Sequence, residues 1–315
     1  GFLSPADLDE LFIPHPNNPW KDHKINRLVE PSSKGEGYMS RAAFINRWKL
    51  FLFDNPENAM LSLVYVGYAG DINKAVTISR NRRRERRLAV GSRRNTFVVS
   101  VLGGNNSGKT ELVRGLVGLP FGKSSTEKAH TVAAIREVPV EAAFGGGTKT
   151  LIMMCVPEDH ASEFVSSKGY LEASDVVLLV YDPSVEGSFS DTTRLFEILS
   201  TARPSLPVLF VSTKSDLTPV EQKTSTGLTP AEYCIEKGIP EPQPVSMKSG
   251  NDGNLYEMLV GVTLNPQVAC PNYESDVSVL DAYLVPAIKV IAVVTAIGLV
   301  GFGAKKVYDK VKAKH

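Results

Sequence analysis

The sequence is poor in cysteine and lacks the cysteine pairs that disulfide scaffolds and zinc ribbons need. Its three cysteines, Cys155, Cys234 and Cys270, lie far apart and form no CxxC pair. This spacing argues against a disulfide-stapled domain and favours a reducing compartment. The chain also lacks an apolar leader and an initiating methionine, since it begins at Gly1. We therefore expect further sequence upstream.

An excess of charge of one sign is absent as well. The 35 Lys and Arg residues balance 34 Asp and Glu residues, which leaves a net charge of +1. This balance argues against a protein devoted to nucleic acid. With 43% apolar and 22% charged residues, the composition excludes wholesale disorder, and 315 residues suffice for about two domains.

The first 78 residues contain a weak internal repeat. The run Gly1-Phe2-Leu3-Ser4-Pro5-Ala6-Asp7-Leu8 is similar to Gly37-Tyr38-Met39-Ser40-Arg41-Ala42-Ala43-Phe44. In each copy a glycine and an apolar pair precede a serine that is suited to cap a helix. Apolar residues then recur at helical spacing, which predicts a helix after each serine.

This pattern matches the second half of an EF-hand calcium loop, which has glycine at position 6 and a carboxylate at position 12. If Gly1 is position 6, Asp7 is position 12 and closes the shell of a Ca²⁺ ion. The equivalent position in the second copy is Ala43, so we expect that loop not to bind a cation. The alternative is a helical hairpin with a glycine turn and no role in calcium binding.

A run of arginines follows the repeat, within residues 79–95. It is opposed only by Glu85 and contains Arg80, Arg82, Arg83, Arg84, Arg86, Arg87, Arg93 and Arg94. The run could bind acidic lipid or nucleic acid. No aromatic residue is interleaved for base stacking, so we favour a solvated linker that pairs with neighbouring carboxylates.

A phosphate-binding loop begins at residue 103. The apolar run Phe97–Leu102 predicts a buried strand and leads into Gly103-Gly104-Asn105-Asn106-Ser107-Gly108-Lys109-Thr110, which matches GxxxxGK[ST]. A helical pattern from Glu111 to Leu119 follows. In this context the loop amides cradle phosphates, Lys109 reaches the β- and γ-phosphates, and the Thr110 hydroxyl ligates Mg²⁺. We predict nucleotide contacts from Asn105, Asn106, Ser107, Gly108, Lys109, Thr110 and Glu111.

Two later segments indicate guanine rather than adenine. A predicted strand, Val208–Ser212, leads into Thr213-Lys214-Ser215-Asp216, an [NT]KxD pattern. The Asp216 carboxylate can accept hydrogen bonds from guanine N1 and N2, and the stem of Lys214 can lie over the base. Because Thr213 replaces the commoner asparagine, we expect weaker bracing of the phosphate loop. The turn containing Ser246 and Met247 is predicted to meet guanine O6 through backbone amides.

The residues that would activate water are missing. The predicted strand Thr150–Val156 ends in Pro157-Glu158-Asp159-His160, where efficient GTPases carry DxxG followed by glutamine. Glu158 or Asp159 could reach Mg²⁺ through water, and His160 is expected to be exposed. Thr126 and Thr131 both remain candidates for the threonine of the first mobile loop. The sequence supports binding of GTP more strongly than self-sufficient hydrolysis, and it identifies no catalytic residue.

The apolar segment 283–304 is long enough for one membrane span. Twenty residues of helix, Val285 to Ala304, extend roughly 30 Å, and lysines follow directly over 305–315. We predict a C-terminal tail anchor after a linker at 266–282. The modest hydrophobicity and basic flanks favour the mitochondrial outer membrane, with peroxisomal and plastid membranes as alternatives. A buried core helix is the other interpretation.

The order of these segments resembles the mitochondrial Rho GTPases, the Miro family, over nearly all 315 residues. The similarity is carried by Leu3–Leu8, Asn18-Pro19-Trp20, Phe44–Trp48 and Tyr65–Tyr68. It implies an all-α EF-hand and hidden EF-hand module at 1–78, followed by a Ras-like α/β P-loop GTPase domain with a mostly parallel sheet at 96–265, and then a transmembrane helix.

The resemblance also implies a role. It points to a GTPase on the mitochondrial outer membrane that binds GTP or GDP, Mg²⁺ and Ca²⁺, faces the cytosol, contacts motor adaptors or organelle tethers, and controls mitochondrial distribution, shape or inheritance. No nucleic-acid partner is expected. The alternative is a nucleotide-bound scaffold that recruits adaptors without turnover.

Overall fold

The structure is a computed structural model, and it describes residues 1–21, 25–75, 95–122, 131–140 and 147–270. The described residues belong to one compact unit. The predicted Arg-rich linker lies outside the described residues, apart from Asn95, and so does the predicted membrane anchor. Within the described residues no helix is both long and apolar enough to cross a membrane.

The N-terminal part is mainly helical. Its elements are β1 (Phe2–Leu3), α1 (Pro5–Leu11), β2 (Ile25–Leu28), β3 (Met39–Ser40), α2 (Arg41–Asp54), α3 (Pro56–Tyr65) and α4 (Ile72–Ala75). Helix α1 begins as the sequence predicts. The Ser4 hydroxyl accepts a hydrogen bond from the Asp7 backbone N–H (3.2 Å), and the Asp7 carboxylate accepts one from the Ser4 N–H (2.7 Å). This reciprocal pair satisfies two backbone donors at the start of the helix.

The two copies of the repeat pair with each other. Strands β1 and β3 are antiparallel, with Leu3 opposite Met39 and Phe2 opposite Ser40. Leu3 and Met39 occupy the same position in their respective copies, so the repeat is also a structural one. Between the copies, Trp20 packs in an aromatic cluster with Phe12 (ring centroids 5.1 Å apart) and Phe44 (5.2 Å).

The rest of the described chain builds a sheet with helices on both faces. The further strands are β4 (Thr96–Gly103), β5 (Thr131–Pro139), β6 (Thr148–Cys155), β7 (Val176–Tyr181), β8 (Val208–Ser212) and β9 (Gln243–Pro244). The sheet order is β2-β5-β6-β4-β7-β8-β9, and every pairing is parallel except β5 with β6. This confirms the predicted α/β fold with a mostly parallel sheet.

The helices of this part are α5 (Lys109–Leu116), α6 (Ala161–Ser166), α7 (Lys168–Ala173), α8 (Ser188–Ala202), α9 (Pro230–Lys237) and α10 (Leu255–Leu264). All six residues of β7 are buried, and none is charged. Such a composition is expected of a strand that is covered on both faces. One hydrophobic cluster packs the sheet against α5 and α10, and a second packs it against α6, α7, α8 and α9.

The N-terminal part also contributes directly to this sheet. Strand β2 pairs in parallel with the outer side of β5, from Ile25 opposite Thr131 to Leu28 opposite Ala134. Helix α2 lies over the same strand, where Leu50 is 1% exposed and packs against Ala133, Ile135 and Ile152. The sequence analysis assigned no strand to residues 25–28. The structure therefore adds that the N-terminal part supplies a strand to the large sheet.

Candidate functional site

The phosphate loop is shaped by glycines at its two ends. A Cβ on Gly103 would lie 2.1 Å from the backbone oxygen of Val180, and φ at this residue is +152°. Gly108 has φ +89° and forms the N-cap of α5. These conformations exclude ordinary side chains and bring the loop close under the N-terminus of α5. Backbone N–H groups and the helix dipole at this point favour an anion.

Lys109 lies in the centre of the loop and is 9% exposed. Its Nζ atom donates hydrogen bonds to the carbonyl oxygens of Gly103 (2.9 Å) and Gly104 (2.6 Å). Burial lowers the pKa of Lys109, and the neighbouring Cys155 and Glu158 act in the opposite direction. The Lys109 ammonium group therefore lies inside the loop and is fixed there by two backbone carbonyls.

A buried hydroxyl in the loop fits a phosphate oxygen. Ser107 is 2% exposed, and its Oγ atom has no hydrogen-bond partner among the described residues. Buried polar groups are rarely left unsatisfied, because this costs about 1–3 kcal/mol. Asn105 and Asn106 lie exposed at the tip of the loop, where the Asn106 N–H donates to Oδ1 of Asn105 (3.0 Å). The residues present thus fit a bound polyphosphate.

The cation side of the loop differs from the acidic site of an efficient GTPase. The Thr110 hydroxyl lies in the first turn of α5, 3.9 Å from the Sγ atom of Cys155 at the end of β6. Burial raises the pKa of Cys155, against the effects of Lys109 and Thr110, so the thiol stays neutral. A neutral thiol is a poor ligand for a hard cation. The described residues contain no group of three or more His, Cys, Asp or Glu side chains suited to hold a metal.

Glu111, which the sequence placed among the nucleotide contacts, contacts residues outside the loop. Its Oε2 atom accepts a hydrogen bond from the Gly122 N–H (3.2 Å), and Oε1 lies 3.6 Å from Nε of Arg114. Beyond β6, Glu158 and Asp159 are exposed, and His160 is exposed as expected, with Nδ1 3.3 Å from Glu163.

Thr213 braces the phosphate loop. It is 5% exposed, and its hydroxyl is 2.6 Å from the Ser107 carbonyl oxygen and 3.1 Å from that of Tyr181. A Cβ added to Gly108 would lie 3.3 Å from the same hydroxyl oxygen, so the two segments are in close contact. Although it is shorter than the commoner asparagine, the Thr213 side chain reaches a loop carbonyl. The weaker bracing expected from the sequence stays a prediction.

Lys214 makes a second connection between the phosphate loop and the predicted guanine-binding motif, residues 213–216, which we call the base motif. Its Nζ atom donates to the Asn106 carbonyl oxygen (2.9 Å) and to Oδ2 of Asp182 (2.5 Å). Burial raises the pKa of Asp182, but hydrogen bonds from Lys214 and Ser184 outweigh it and lower the pKa overall. The sequence analysis assigned no role to Asp182; its signal was a lone carboxylate directly after a buried strand.

Asp216 contacts two residues of the turn that follows β9. Its Oδ1 atom accepts a hydrogen bond from the Ser246 hydroxyl (2.6 Å), and Oδ2 lies 3.7 Å from Nζ of Lys248. The Ser246 bond is the main reason that the pKa of Asp216 is lowered, with burial opposing it and Lys248 adding to it. The carboxylate is therefore ionised and oriented at neutral pH.

The turn itself differs from the prediction in one detail. The Ser246 N–H already donates to the Asn251 carbonyl oxygen (2.8 Å), and the Asn251 N–H donates back to Ser246 (2.9 Å). Ser246 thus orients Asp216 through its hydroxyl, with its own amide already engaged. The Met247 side chain lies against Gly115 of α5, where an added Cβ would meet the Met247 Sδ atom at 2.2 Å. Contact between the base turn and α5 is therefore direct.

Asp7, the predicted calcium ligand, lies in the first turn of α1. The Asp7 carboxylate forms the capping pair with Ser4, and this backbone hydrogen bond is the main cause of its lowered pKa. Ala43, at the equivalent position, lies buried in α2.

Comparison with known proteins supports the family resemblance. The chain is 29% identical to mitochondrial Rho GTPase 1 of Arabidopsis thaliana over 317 residues, covering 97% of this chain and 47% of the relative. It is 29% identical to mitochondrial Rho GTPase 2 of the same plant, covering 98% and 48%. It is 28% identical to mitochondrial Rho GTPase 1 of Cryptococcus neoformans, covering 86% and 40%. The chain thus spans about half the length of these curated relatives. No family model matches it.

Proposed function

We propose that this chain, a relative of the mitochondrial Rho GTPases, binds GTP and hydrolyses it slowly. The observation that carries the proposal is the direct connection between the base motif and the phosphate loop. Thr213 and Lys214 each bond a loop carbonyl, at 2.6 Å and 2.9 Å. Asp216 stands beside them, oriented by Ser246 at 2.6 Å.

The arrangement selects guanine. The ionised Asp216 carboxylate accepts from the N1 and N2 donors of guanine, whereas adenine has no matching pair of donors. A site built to accept such hydrogen bonds rejects a base that lacks them, because the carboxylate would be desolvated without partners. The amide of Met247 remains to contact O6, and the stem of Lys214 packs on the base plane.

The loop supplies the phosphate contacts. Lys109 exchanges its carbonyl partners for the β- and γ-phosphates, and the Ser107 hydroxyl gains an acceptor. Thr110 would hold Mg²⁺ together with phosphate oxygens and water. When bound, Mg²⁺ neutralises charge that develops on the phosphates. Polyphosphate and base contacts thus come from segments already joined to each other.

Slow hydrolysis follows from what surrounds the γ-phosphate position. Residues 157–160 at the end of β6 contain no glutamine to orient the attacking water. Cys155, a neutral thiol, faces Thr110 at 3.9 Å where a carboxylate would assist the cation. Positioning and electrostatic stabilisation are the main sources of catalysis in phosphoryl transfer, so turnover without a partner is expected to be slow.

The second candidate is a scaffold that binds GTP without turnover, and the Cys155 thiol favours it. Single-turnover hydrolysis distinguishes the two functions. The full chain is loaded with radiolabelled GTP, and conversion to GDP is followed over hours, with Lys109→Ala and Asp216→Asn as controls. Conversion that depends on Lys109 supports the GTPase. GTP that binds, is discriminated through Asp216 and stays intact supports the scaffold.

We further propose that the N-terminal part is an EF-hand-type pair. The antiparallel pairing of Leu3 with Met39 supports this, because it places the same loop position of the two copies opposite each other. Calcium titration of the full chain by calorimetry tests it. The Asp7→Asn variant keeps a capping oxygen for α1 but removes the charge. Heat that disappears in this variant supports a calcium site, and identical heats would contradict it.

The location and partners of the chain belong to the same proposal. We place it on the mitochondrial outer membrane through the segment 283–304, with the nucleotide domain facing the cytosol and recruiting motor adaptors or organelle tethers. Microscopy of the fluorescently tagged chain, with and without residues 283–315, is the test. A diffuse signal for the longer chain would contradict the anchor.

A further inference from the structure

Asp182 is a buried carboxylate to which the proposed nucleotide contacts assign no role. It directly follows β7 and is 3% exposed. Its Oδ1 atom accepts hydrogen bonds from the Ser184 N–H (2.9 Å) and the Ser184 hydroxyl (2.6 Å). Its own N–H donates to the Ser188 hydroxyl (3.0 Å). Asp182 is therefore fixed by nearby residues at the end of a fully buried strand.

The second carboxylate oxygen of Asp182 binds Lys214. Oδ2 lies 2.5 Å from the Lys214 Nζ atom, and the side chains of the pair differ in exposure, with 4% for Asp182 and 36% for Lys214. A carboxylate this deeply buried is costly to leave unpaired, whereas a partly exposed lysine can be hydrated. The anchored carboxylate thus positions the lysine, rather than the reverse.

Lys214 carries this anchoring to the phosphate loop. The same Nζ atom donates to the Asn106 carbonyl oxygen (2.9 Å). Lys214 and Asn106 both have left-handed backbone conformations, with φ of +52° and +57°. Residues other than glycine adopt this conformation uncommonly, and such residues cluster at functional sites where their surroundings hold them in place. Here one ammonium group connects the two residues.

Fixing the lysine in advance favours binding of the base. A free lysine side chain loses considerable rotamer entropy when its stem packs on another group. A lysine already held at its tip has lost much of that entropy before the nucleotide arrives. We propose that Asp182 is a positioning residue for guanine binding, which holds Lys214 on Asn106 so that the lysine stem is in place over the base. The inference rests on the proposed binding of GTP, and Asp182 acts in it through Lys214.

The test is a double-mutant cycle in the full chain, with the dissociation constant for fluorescently labelled GTP measured by equilibrium titration. Asp182→Asn keeps the size of the side chain but removes its charge, and it should weaken GTP binding about tenfold or more. Lys214→Met keeps a long apolar stem without the ammonium group and should also weaken binding about tenfold or more. In the Lys214→Met background, Asp182→Asn should cause no further loss, because the group through which it acts is gone.

The matched control is Asp175→Asn at the other end of β7. Asp175 is also 3% exposed, and its Oδ2 atom accepts a hydrogen bond from the Val98 N–H (2.9 Å). It lies seven residues before Asp182, about 23 Å along the strand. We expect this variant to bind GTP within twofold of the natural chain, even if it melts at a lower temperature.

Several results would overturn the role of Asp182 while GTP binding itself stands. These are equal losses from Asp182→Asn in both backgrounds, unchanged GTP affinity in Asp182→Asn or in Lys214→Met, and a loss in Asp175→Asn as large as that in Asp182→Asn. The Lys214→Met measurement is decisive even where Asp182→Asn folds poorly, because Lys214 is partly exposed. If the natural chain binds no guanine nucleotide, the proposed function fails and this inference fails with it.

Discussion

The bracing of the phosphate loop by Thr213 leads to a quantitative prediction. Replacing Thr213 with valine keeps the volume and shape of the side chain but removes the hydroxyl. The Tyr181 carbonyl still accepts from the Thr213 backbone N–H (3.0 Å), so the main loss falls on the Ser107 carbonyl. A buried carbonyl left without its donor costs about 1–3 kcal/mol.

This cost appears as weaker nucleotide binding, because the loop must hold its shape to present its amides to the phosphates. We expect the dissociation constant for fluorescently labelled GTP to rise about 5- to 150-fold in Thr213→Val. Thr213→Asn, which restores a polar side chain able to reach the loop, should bind within a few-fold of the natural chain. The assay is equilibrium titration at fixed Mg²⁺ concentration.

The matched control is Thr201→Val on α8. The Thr201 hydroxyl donates to the carbonyl of Glu197 on the same helix (2.9 Å), on an exposed surface. We expect no change in nucleotide affinity for this variant. If Thr213→Val binds GTP within twofold of the natural chain and unfolds at the same temperature, the bracing carries no energy and the reasoning is refuted.

Three further predictions concern packing and pH. Leu50→Ala should lower the free energy of unfolding by about 2–5 kcal/mol, because the Leu50 side chain is only 1% exposed. Leu61 is 51% exposed, so Leu61→Ala should lower it far less, and urea unfolding measures both variants. Gly115→Ala should displace Met247, because the new Cβ would lie 2.2 Å from the Met247 Sδ atom. We expect the free energy of unfolding, measured in urea, to fall by about 1–3 kcal/mol. Adding Met247→Ala removes the clash, so the double variant should regain part of this loss. Burial raises the pKa of Cys234 to about 12, above that of a thiol in the unfolded chain. The stability that the buried neutral thiol contributes is therefore present below about pH 9 and is lost as pH rises toward 12, because the unfolded thiol ionises first. Cys234→Ala should therefore flatten the fall of the melting temperature between pH 8 and 10, and equal slopes would contradict this.

Several features of the fold were predictable because their causes are local. The helix cap at Ser4, the buried strand before the phosphate loop and the αL glycine at Gly108 depend on neighbouring residues alone. Such features follow from backbone conformation and from the period of apolar residues, which the sequence displays directly.

Other features depended on residues far apart in the chain. Nothing in Ile25–Leu28 marks it as a strand of the large sheet, because its partner β5 lies about one hundred residues later. Glu111 follows the loop directly, yet its carboxylate contacts Arg114 and the backbone N–H of Gly122, which lies eleven residues later. The Thr213 hydroxyl reaches the loop only because the two segments approach each other closely.

By itself the sequence determined which motifs the proposed site contains: a phosphate-loop pattern at 103–110, a guanine-type pattern at 213–216 and a strand end without DxxG and its glutamine. The tertiary structure alone decided how these parts cooperate. It joins the loop to the base motif through Thr213 and Lys214, it pairs Lys214 with Asp182, and it docks the helical part on the sheet. The reason is physical: motif identity is a property of consecutive residues, whereas a hydrogen bond between residues 106 positions apart exists only after the sheet has formed.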